Sequence, residues 1–375
     1  AERSSVVSKR VKVGVIGTGA ISGAYFDNGA NLPIIEFAAV ADLDRPKAEA
    51  QAEKYGIPRV LSVDELLADP EIEVVLNLTV PQAHVPVARA AIQAGKHVYS
   101  EKPFGLDPAE GQALLDEAAA AGLQLGCAPD TFMGTGQQTA RATLEAGTIG
   151  QPVAFTAFMM GRGPEPWHPN PMFYYAPGGG PMFDMGPYYL TALLNLLGPV
   201  RRYVGAASIA ITDRTVGSGP FEGQKINVTT PDHVCGLLEF ECGVVGTIIT
   251  SFATVHASAP SPITLFGTKG AMHVPDPNGF DGEVKVRAND AGEWETVAPT
   301  SPAGYGRSVG LADMCASIAG SGRDFRCSGA RAQYVLDLMA GFLASSADGA
   351  YRTPASGYDQ PAPMVNGLPF GTLEA

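Results

Sequence analysis

"VKVGVIGTGAIS", residues 11–22, decides the fold because it reads as a buried β-strand that turns through glycines into a helix. Gly17 allows the tight turn, and Gly19 lets a pyrophosphate approach the backbone at the helix N-terminus. Ser22 stands where the dinucleotide fingerprint has its third glycine, and so small a residue still permits close helix–strand packing. The cofactor-binding residues that this turn predicts are Gly17, Thr18, Gly19, Ala20 and Ile21.

A carboxylate follows at the end of the second predicted strand, "IIEFAAVADLD". Asp42 lies where an acidic residue accepts hydrogen bonds from the adenosine ribose hydroxyls, and this context favours a cofactor site over an unrelated glycine turn. The same carboxylate would repel a 2′-phosphate, so the sequence predicts NAD rather than NADP. Arg45 leaves two interpretations open, because it could soften that preference or cap the following helix.

The first third of the chain alternates strand and helix signals up to about residue 128. "IEVVLNLTV" is the continuous apolar run that a central parallel strand needs, and Asp107 with Pro108 predicts the start of an alanine-rich helix. This alternation predicts an α/β fold with a doubly wound parallel sheet. We therefore predict a Rossmann domain over residues 11–128, preceded by a flexible arm over residues 1–10.

The pattern changes beyond residue 128, where long and partly alternating strand signals appear. They include "PVAFTAFMMG", "SPITLFGTKGAMHV" and the single strand-like run "HVCGLLEFECGVVGTIITSF". These predict a C-terminal α/β domain over residues 129–375 with a large, mostly antiparallel open sheet. A Pro/Gly-rich loop separates the strands, and loops of that length inside compact domains are often functional.

Composition excludes several functional classes. The formal net charge of −13 argues against nucleic acid and anionic membranes as partners, and no run of 18 apolar residues occurs. The five cysteines form no C-x-x-C pair, which argues against a zinc site or a disulfide framework. We therefore predict a cytoplasmic protein without a metal, in a reducing compartment.

"YSEKPFG", residues 99–105, places two charges at the end of an apolar strand. Either this is an ordinary exposed strand end or the charges face a cleft, because charged residues are rarely buried unless something pairs with them. Pro103 biases Lys102 toward an extended conformation and permits a cis bond. A cofactor cleft that begins at this strand end would explain the pattern.

The order and spacing of "GTGAIS", "VADLD", "PQAH", "AGKHVYSEKP" and "GGGPMFDMGPYY" resembles the glucose–fructose oxidoreductase / inositol dehydrogenase / MocA family. The resemblance covers nearly the whole chain, and the E-K-P and GGG-x-x-x-D segments are its most specific signals. It implies a C-terminal domain for substrate binding and oligomerisation, with dimers or tetramers formed through the open sheet. It also implies NAD(P)-dependent oxidation or reduction of sugars, polyols and related alcohols.

Carried over by position, the resemblance implies that Lys102 is the catalytic lysine and that Glu101 lies beside the cofactor. It places Trp167 at the nicotinamide end and identifies Asp184 as the family aspartate. The further cofactor-side positions that it implies are Leu78, Thr79, Val80, Pro81 and, opening the helix behind them, His84. The predicted substrate-binding residues are Lys102, Trp167, Asp184, Tyr188 and His168, the last against the alternative of a solvent-facing loop histidine.

Two positions depart from the family pattern. Tyr188 stands where many members have an acid–base histidine, and "APDTF" (128–132) replaces an Asn-Arg type of sequence. Removal of a hydride from an alcohol needs a group that takes the hydroxyl proton. Tyrosine has a free pKa of about 10, and a nearby ammonium favours the phenolate, which is the role expected of Lys102.

Asp184 and Tyr188 are four residues apart and would share one face of a helix. Asp184 could bind a substrate hydroxyl and hold Lys102, or it could only cap the helix with Pro187 in the first turn. Three functions remain open: an NAD-dependent dehydrogenase acting on a sugar, sugar derivative or cyclitol; an NAD-dependent glycosidase that oxidises its substrate transiently; and a non-enzymatic nucleotide sensor. The intact Lys102, Asp184 and Tyr188 argue against the sensor.

Overall fold

The computed structural model describes residues 10–255, 261–289, 292–301, 303–366 and 373. The predicted arm over residues 1–10 lies outside the described residues except for Arg10. The described chain forms two compact units. The first contains the residues up to Met133 together with Gly304–Gln333 and the residues from Met364; the second contains Gly134–Ala303 and Tyr334–Pro363.

The strands of the first unit form one parallel sheet in the order β2-β1-β3-β4-β5, and the longest strands of the second unit form a separate eight-stranded sheet. The strands are β1 Val11–Ile16, β2 Ile35–Ala41, β3 Val74–Asn77, β4 His97–Ser100, β5 Leu125–Cys127, β6 Pro152–Met160, β7 Val200–Ser208, β8 Asp213–Thr215, β9 Lys225–Asn227, β10 His233–Phe240, β11 Val245–Ser251, β12 Ile263–Gly267, β13 Gly270–Val274, β14 Lys285–Ala288 and β15 Glu295–Thr296.

The helices alternate with the strands in the first unit and cluster around the larger sheet in the second. They are α1 Ser22–Gly29, α2 Arg45–Tyr55, α3 Val63–Ala68, α4 His84–Gln93, α5 Pro108–Ala120, α6 Thr135–Glu145, α7 Gly180–Leu197, α8 Val309–Ile318 and α9 Gly329–Asp348. Within the described residues, no helix combines the length and apolar character needed to cross a bilayer.

Local sequence signals explain how the helices of the first unit begin and end. Asp107 accepts a hydrogen bond from the Ala109 amide at 2.8 Å, which confirms the predicted cap of α5. Helix α3 was not predicted, although Ser62 and Glu65 form a capping box at its start. The doubly wound parallel sheet predicted for this part of the chain is confirmed.

One late segment belongs to the first unit, which differs from the predicted division at residue 128/129. Residues Gly304–Gln333 pack there. The Ser308 hydroxyl donates to the Tyr25 carbonyl at 2.9 Å, and the Cys127 amide donates to the Cys327 carbonyl at 2.9 Å. Contacts between residues so distant in sequence leave no local pattern from which the segment's placement could have been predicted.

The eight-stranded sheet of the second unit has the order β15-β14-β13-β12-β6-β11-β10-β7. Only the β6–β11 pairing is parallel, so the prediction of a large, mostly antiparallel sheet is confirmed. The run from His233 to Phe252 is not one strand as predicted. It is the hairpin β10–β11, because the chain reverses at Gly243, whose φ of +91° is left-handed, and Cys242 lies exposed in the turn.

One face of this sheet is covered by helices. Phe342 of α9 packs directly over Gly205 of β7 and Gly236 of β10, where a Cβ on Gly236 would lie 2.2 Å from the phenyl ring. Glycines on neighbouring strands thus make room for an aromatic side chain, and the core of the second unit lies between this face and its helices. Side chains along β10 alternate between buried and half-buried positions, so the other face remains accessible.

Candidate functional site

The predicted cofactor-binding residues of the first unit lie where its parallel strands end. Gly17 follows β1, Asp42 follows β2, Leu78 follows β3 and Glu101 follows β4, so all four lie at the carboxyl edge of the sheet. In the order β2-β1-β3-β4-β5, the connections leave β1 and β3 in opposite directions. Ligands of open α/β sheets bind at such a switch point.

The glycine turn at this edge has one glycine that the fold needs and one that borders open space. Gly17 has φ +99°, and a Cβ there would lie 2.7 Å from the backbone of Leu78. A Cβ on Gly19 would have no heavy atom within 4 Å. Ser22 is buried and its hydroxyl donates to the Gly19 carbonyl at 2.8 Å, so a small residue packs at the third glycine position. The turn therefore leaves room for a pyrophosphate beside Gly19.

Three hydrogen bonds hold the Asp42 carboxylate in one orientation. The Thr18 amide and hydroxyl donate to Oδ2 at 2.7 and 2.9 Å, and the Asp44 amide donates to Oδ1 at 2.9 Å. Burial by itself would raise the pKa of Asp42, but these three hydrogen bonds outweigh it and hold the pKa below its usual value. Asp42 is therefore an ionised, fixed acceptor at neutral pH. Arg45, the first residue of α2, pairs with Glu49 at 2.9 Å.

Two apolar side chains are exposed at the same edge of the sheet. Leu43, directly after Asp42, is 100% exposed, and Val80, in the turn after β3, is 64% exposed. Val80 was predicted to line the cofactor site, whereas sequence reasoning missed Leu43. The sequence pattern that could have identified Leu43 is an apolar residue between two acidic residues at the end of a strand. Exposed apolar groups beside convergent polar ones are typical of small-molecule sites.

The E-K-P segment directs the Glu101 side chain into the interior of the protein. Glu101 is 8% exposed and accepts hydrogen bonds from the Tyr25 hydroxyl and from the Lys102 amide, each at 2.8 Å. The Lys102–Pro103 peptide is cis, as the sequence permitted, and Lys102 is half-buried. An ordinary exposed strand end is therefore excluded for Glu101, which instead fixes the backbone of Lys102.

His84 begins α4 and is buried behind this segment. Its ring nitrogens face two backbone carbonyls, with Nδ1 2.6 Å from the Pro103 oxygen and Nε2 3.0 Å from the Thr79 oxygen. Burial lowers the pKa of His84, and the two carbonyls oppose the shift without reversing it. The side chain predicted to bind cofactor thus has both nitrogens directed at the protein.

In the second unit, Asp184 and Tyr188 both lie within α7, one turn apart and on one face. The helix begins at Gly180, so the alternative in which Asp184 only caps the helix is wrong. A Cβ on Gly179 would lie 2.4 Å from the Phe173 carbonyl, and Gly180 has φ +83°, so the triple glycine is required before the aspartate. Tyr188 is buried.

The neighbouring Tyr189 has a structural role. Its hydroxyl donates to the Phe158 carbonyl at 3.5 Å, within the same unit. Burial raises the pKa of Tyr189 well above its usual value, so its phenol stays protonated. Only Tyr188 shares the Asp184 face of the helix.

The residues 161–177, which we call the aromatic loop, carry Trp167 and His168. Trp167 is 67% exposed, and the His168 ring has edge contacts with Trp167, Phe173 and Tyr174 at centroid distances of 5.3 to 5.6 Å. His168 Nδ1 accepts a hydrogen bond from the Asn170 amide at 3.1 Å. This bond and the ring contacts hold the His168 side chain within the aromatic loop.

A buried arginine anchors the aromatic loop, and sequence reasoning missed it. Arg214 of β8 donates to Asp232 at 2.8 Å, to Glu165 at 2.7 Å and to the Arg162 carbonyl at 2.9 Å. Glu165 also accepts a hydrogen bond from the Tyr175 hydroxyl, while the guanidinium lies over the Tyr175 ring. Two segments of the loop are thus fixed by one side chain.

Comparisons with known proteins agree with this architecture. Residues 11–128 match the model of the "Oxidoreductase family, NAD-binding Rossmann fold", and residues 137–273 match the "GFO/IDH/MocA C-terminal domain". The chain is 25% identical to myo-inositol 2-dehydrogenase of Thermotoga maritima over 263 residues, which cover 70% of this chain and 74% of the relative. It is 28% identical to D-glucoside 3-dehydrogenase of Escherichia coli over 258 residues, 67% of this chain and 73% of the relative.

A solved NAD-binding oxidoreductase from Klebsiella pneumoniae has the same fold, with a TM-score of 0.79 and 24% identity over 93% of this chain and 100% of that one. The two family models match consecutive parts of the chain, and they follow the same order as the starts of the two units. Together the two matches span most of the chain. The first unit is an NAD-binding Rossmann fold. The chain belongs to the Gfo/Idh/MocA family of oxidoreductases.

Proposed function

We propose that the protein is an NAD-dependent dehydrogenase acting on a CH–OH group of a sugar, sugar derivative or cyclitol. One observation carries the proposal: an open glycine turn, an oriented carboxylate and the Glu101–Lys102 pair follow β1, β2 and β4 at the same edge of one parallel sheet. The substrate class is supported by the relatives, which are named for an inositol and for a glucoside.

The residues of the first unit suit NAD by their chemistry. Asp42 would accept the adenosine ribose hydroxyls, and the space beside Gly19 would take the pyrophosphate at the start of α1. Leu43 and Val80 would offer apolar surface to the base rings, and the backbone from Leu78 to Pro81 would border the nicotinamide half. When bound, NAD supplies the acceptor for the hydride that leaves the carbinol carbon.

Lys102 and Tyr188 are assigned to proton transfer. As the hydride leaves, the hydroxyl oxygen must lose its proton, and we assign this proton to the Tyr188 oxygen, which takes it up as a phenolate favoured by the Lys102 ammonium. The Lys102 ammonium would stabilise the negative charge that develops on the same substrate oxygen. The role of Lys102 rests on the family resemblance of its position, and the role of Tyr188 rests on its place where many family members have an acid–base histidine. Asp184, on the Tyr188 face of α7, is assigned to a substrate hydroxyl.

A redox-neutral glycosidase is the second candidate, because a relative is named for the dehydrogenation of a glucoside and such an oxidation would be the first step of this reaction. Oxidation of a ring hydroxyl to a ketone acidifies the adjacent C–H bond. Loss of that proton lets the aglycone leave with the electrons of its bond to the sugar, and addition of water and return of the hydride then yield the free sugar. The same residues would serve the first oxidation in both candidates.

A panel of sugars, cyclitols and aryl glycosides, with NADH absorbance and released aglycone read together, tests the proposal. A dehydrogenase forms NADH in proportion to oxidised substrate and releases no aglycone. A glycosidase releases aglycone with no net NADH. Reduction of NAD by none of these substrates, with no aglycone released, would contradict both candidates.

We also propose that the protein self-associates through the accessible face of its larger sheet. Val245, Ala154 and Phe266 lie side by side on three neighbouring strands, and both Val245 and Phe266 are exposed. Apolar groups in register on an open sheet suit a second copy of the same surface. Light scattering should show a dimer or tetramer that Val245→Arg disrupts. A monomeric wild-type protein at micromolar concentration would contradict the proposal.

A further inference from the structure

Asn77 and His84 form a buried polar connection between two segments of the cofactor edge. Asn77, at the end of β3, is fully buried, and its amide group donates to the His84 carbonyl at 3.0 Å and to the Ser100 hydroxyl at 3.2 Å. Its side-chain oxygen accepts from the Thr79 hydroxyl at 2.7 Å. The His84 ring then reaches the Pro103 and Thr79 carbonyls. The turn after β3 is thereby tied to the segment that contains Lys102.

The His84 ring faces two acceptors but has one proton to give when neutral. Backbone carbonyls only accept hydrogen bonds, and a neutral imidazole carries a single N–H. His84 is 1% exposed, and burial disfavours the doubly protonated ring. The contact between Nδ1 and the Pro103 oxygen is the shorter one, 2.6 Å against 3.0 Å, so we place the proton on Nδ1.

This bond acts directly beside the proposed catalytic lysine. On the N-terminal side, the Lys102 amide is held by Glu101, whose carboxylate is itself held by the Tyr25 hydroxyl. On the C-terminal side, the bond from His84 fixes the carbonyl of Pro103. The backbone on both sides of Lys102 is therefore fixed by buried groups, as a residue that must aim an ammonium at one oxygen requires.

We infer that His84 is a positioning residue for Lys102, acting through an Nδ1–H hydrogen bond to the Pro103 carbonyl. The inference rests on the proposed role of Lys102. It gives the histidine a function in the reaction without contact to cofactor or substrate, and it assigns different roles to the two ring nitrogens. The bond at Nδ1 should matter for turnover, whereas the contact at Nε2 should not.

Two amide variants test the contacts of the two ring nitrogens one at a time. In His84→Asn the side-chain amide nitrogen can occupy the place of Nδ1, and in His84→Gln the longer side chain can place it near Nε2. We expect His84→Asn to retain kcat within a few-fold. His84→Gln should lower kcat by about 10- to 100-fold, the scale of a misplaced catalytic group. Both variants should keep the wild-type Kd for NADH, measured by fluorescence titration, which also shows that they are folded.

Equal kcat values for the two variants would overturn the inference, and so would a loss confined to the Kd for NADH. Nitrogen-15 NMR of the wild-type protein gives an independent check. The His84 signals, identified by their absence in His84→Asn, should show a protonated Nδ1, and a protonated Nε2 would overturn the inference even if His84→Gln did not fold. Lys102→Met separates the two proposals: wild-type turnover in that variant would contradict the role of Lys102 itself.

Discussion

Thr18 donates two hydrogen bonds, from its amide and from its hydroxyl, to the same carboxylate oxygen of Asp42. The Asp44 amide donates a hydrogen bond to the other oxygen at 2.9 Å. The glycine turn and the acidic strand end, which the sequence places far apart, are therefore one preorganised unit. Its fixed negative charge suits a ribose diol and opposes a 2′-phosphate.

Asp42→Ala should weaken NAD binding and relax the discrimination against NADP. Hydrogen bonds to a charged group contribute about 1.5–3 kcal/mol, so we expect the Kd for NADH to rise roughly 10- to 100-fold. The Kd for NADPH should change less, because the variant also loses a repulsion. Arg45→Ala serves as the control, since Arg45 pairs with Glu49. Wild-type protein that binds NADPH as tightly as NADH would contradict this assignment.

Gly17→Ala should lower the stability of the fold, whereas Gly19→Ala should weaken cofactor binding. Alanine at position 17 meets both a left-handed φ and the Leu78 backbone at 2.7 Å, so it should destabilise the fold by more than about 1 kcal/mol. Alanine at position 19 enters open space, so it should leave the unfolding free energy unchanged. Its methyl group would instead obstruct the pyrophosphate and weaken NADH binding about tenfold or more, ~1.4 kcal/mol. Undiminished NADH binding by Gly19→Ala would show that the cofactor does not approach this turn.

Tyr188→Phe should lower kcat by roughly 10²- to 10⁴-fold, the usual contribution of general acid–base catalysis. The phenyl ring keeps the packing of a buried side chain while the proton acceptor is lost. Tyr189→Phe is the matched control, because the Tyr189 hydroxyl donates weakly to the Phe158 carbonyl at 3.5 Å. It should retain most of the wild-type kcat. Similar rates for the two variants would assign the proton transfer to another group.

Arg214→Met should destabilise the second unit strongly. The guanidinium is 2% exposed and satisfies two carboxylates, and removal of one partner from a buried charge pair costs about 3–5 kcal/mol. Lys225→Met is the control on the adjacent strand of the same hairpin. Its partner is Asp213, both groups are largely exposed, and its loss should change thermal stability little. Equal stability of the Arg214 and Lys225 variants would contradict the anchoring role.

A milder variant, Glu165→Gln, should raise the substrate KM more than it changes kcat, because it loosens the aromatic loop.

Local patterns in the sequence were sufficient to predict the parallel sheet and the glycine turn of the first unit, but not the packing of residues Gly304–Gln333 in that unit. The glycine turn, Asp42 and the cap at Asp107 all depend on neighbours within a few residues or on the regular alternation of strands and helices. Helix α3 could also have been predicted, because the Ser62–Glu65 capping box is a local signal. The E-K-P segment indicated a cleft, but the direction of the Glu101 side chain depends on Tyr25, which is distant in sequence.

The features that sequence reasoning missed depend on contacts between distant residues. Arg214 joins the aromatic loop to Asp232, and nothing near Arg214 in the sequence marks it as buried. The Pro231 carbonyl, to which a Cβ on Gly180 would lie 2.6 Å away, is likewise distant in sequence from the start of α7. From local signals alone, Asp184 with Pro187 looked like a helix cap.

Transfer of a labelled hydride tests the central claim most directly. A sugar or cyclitol that reduces NAD is prepared with deuterium on the carbon that is oxidised, and the NADH formed is analysed by NMR. The proposed mechanism predicts one deuterium at the nicotinamide C4 position, and no NADH from Lys102→Met although that variant still binds NADH. NADH without deuterium, or wild-type turnover by Lys102→Met, would contradict it.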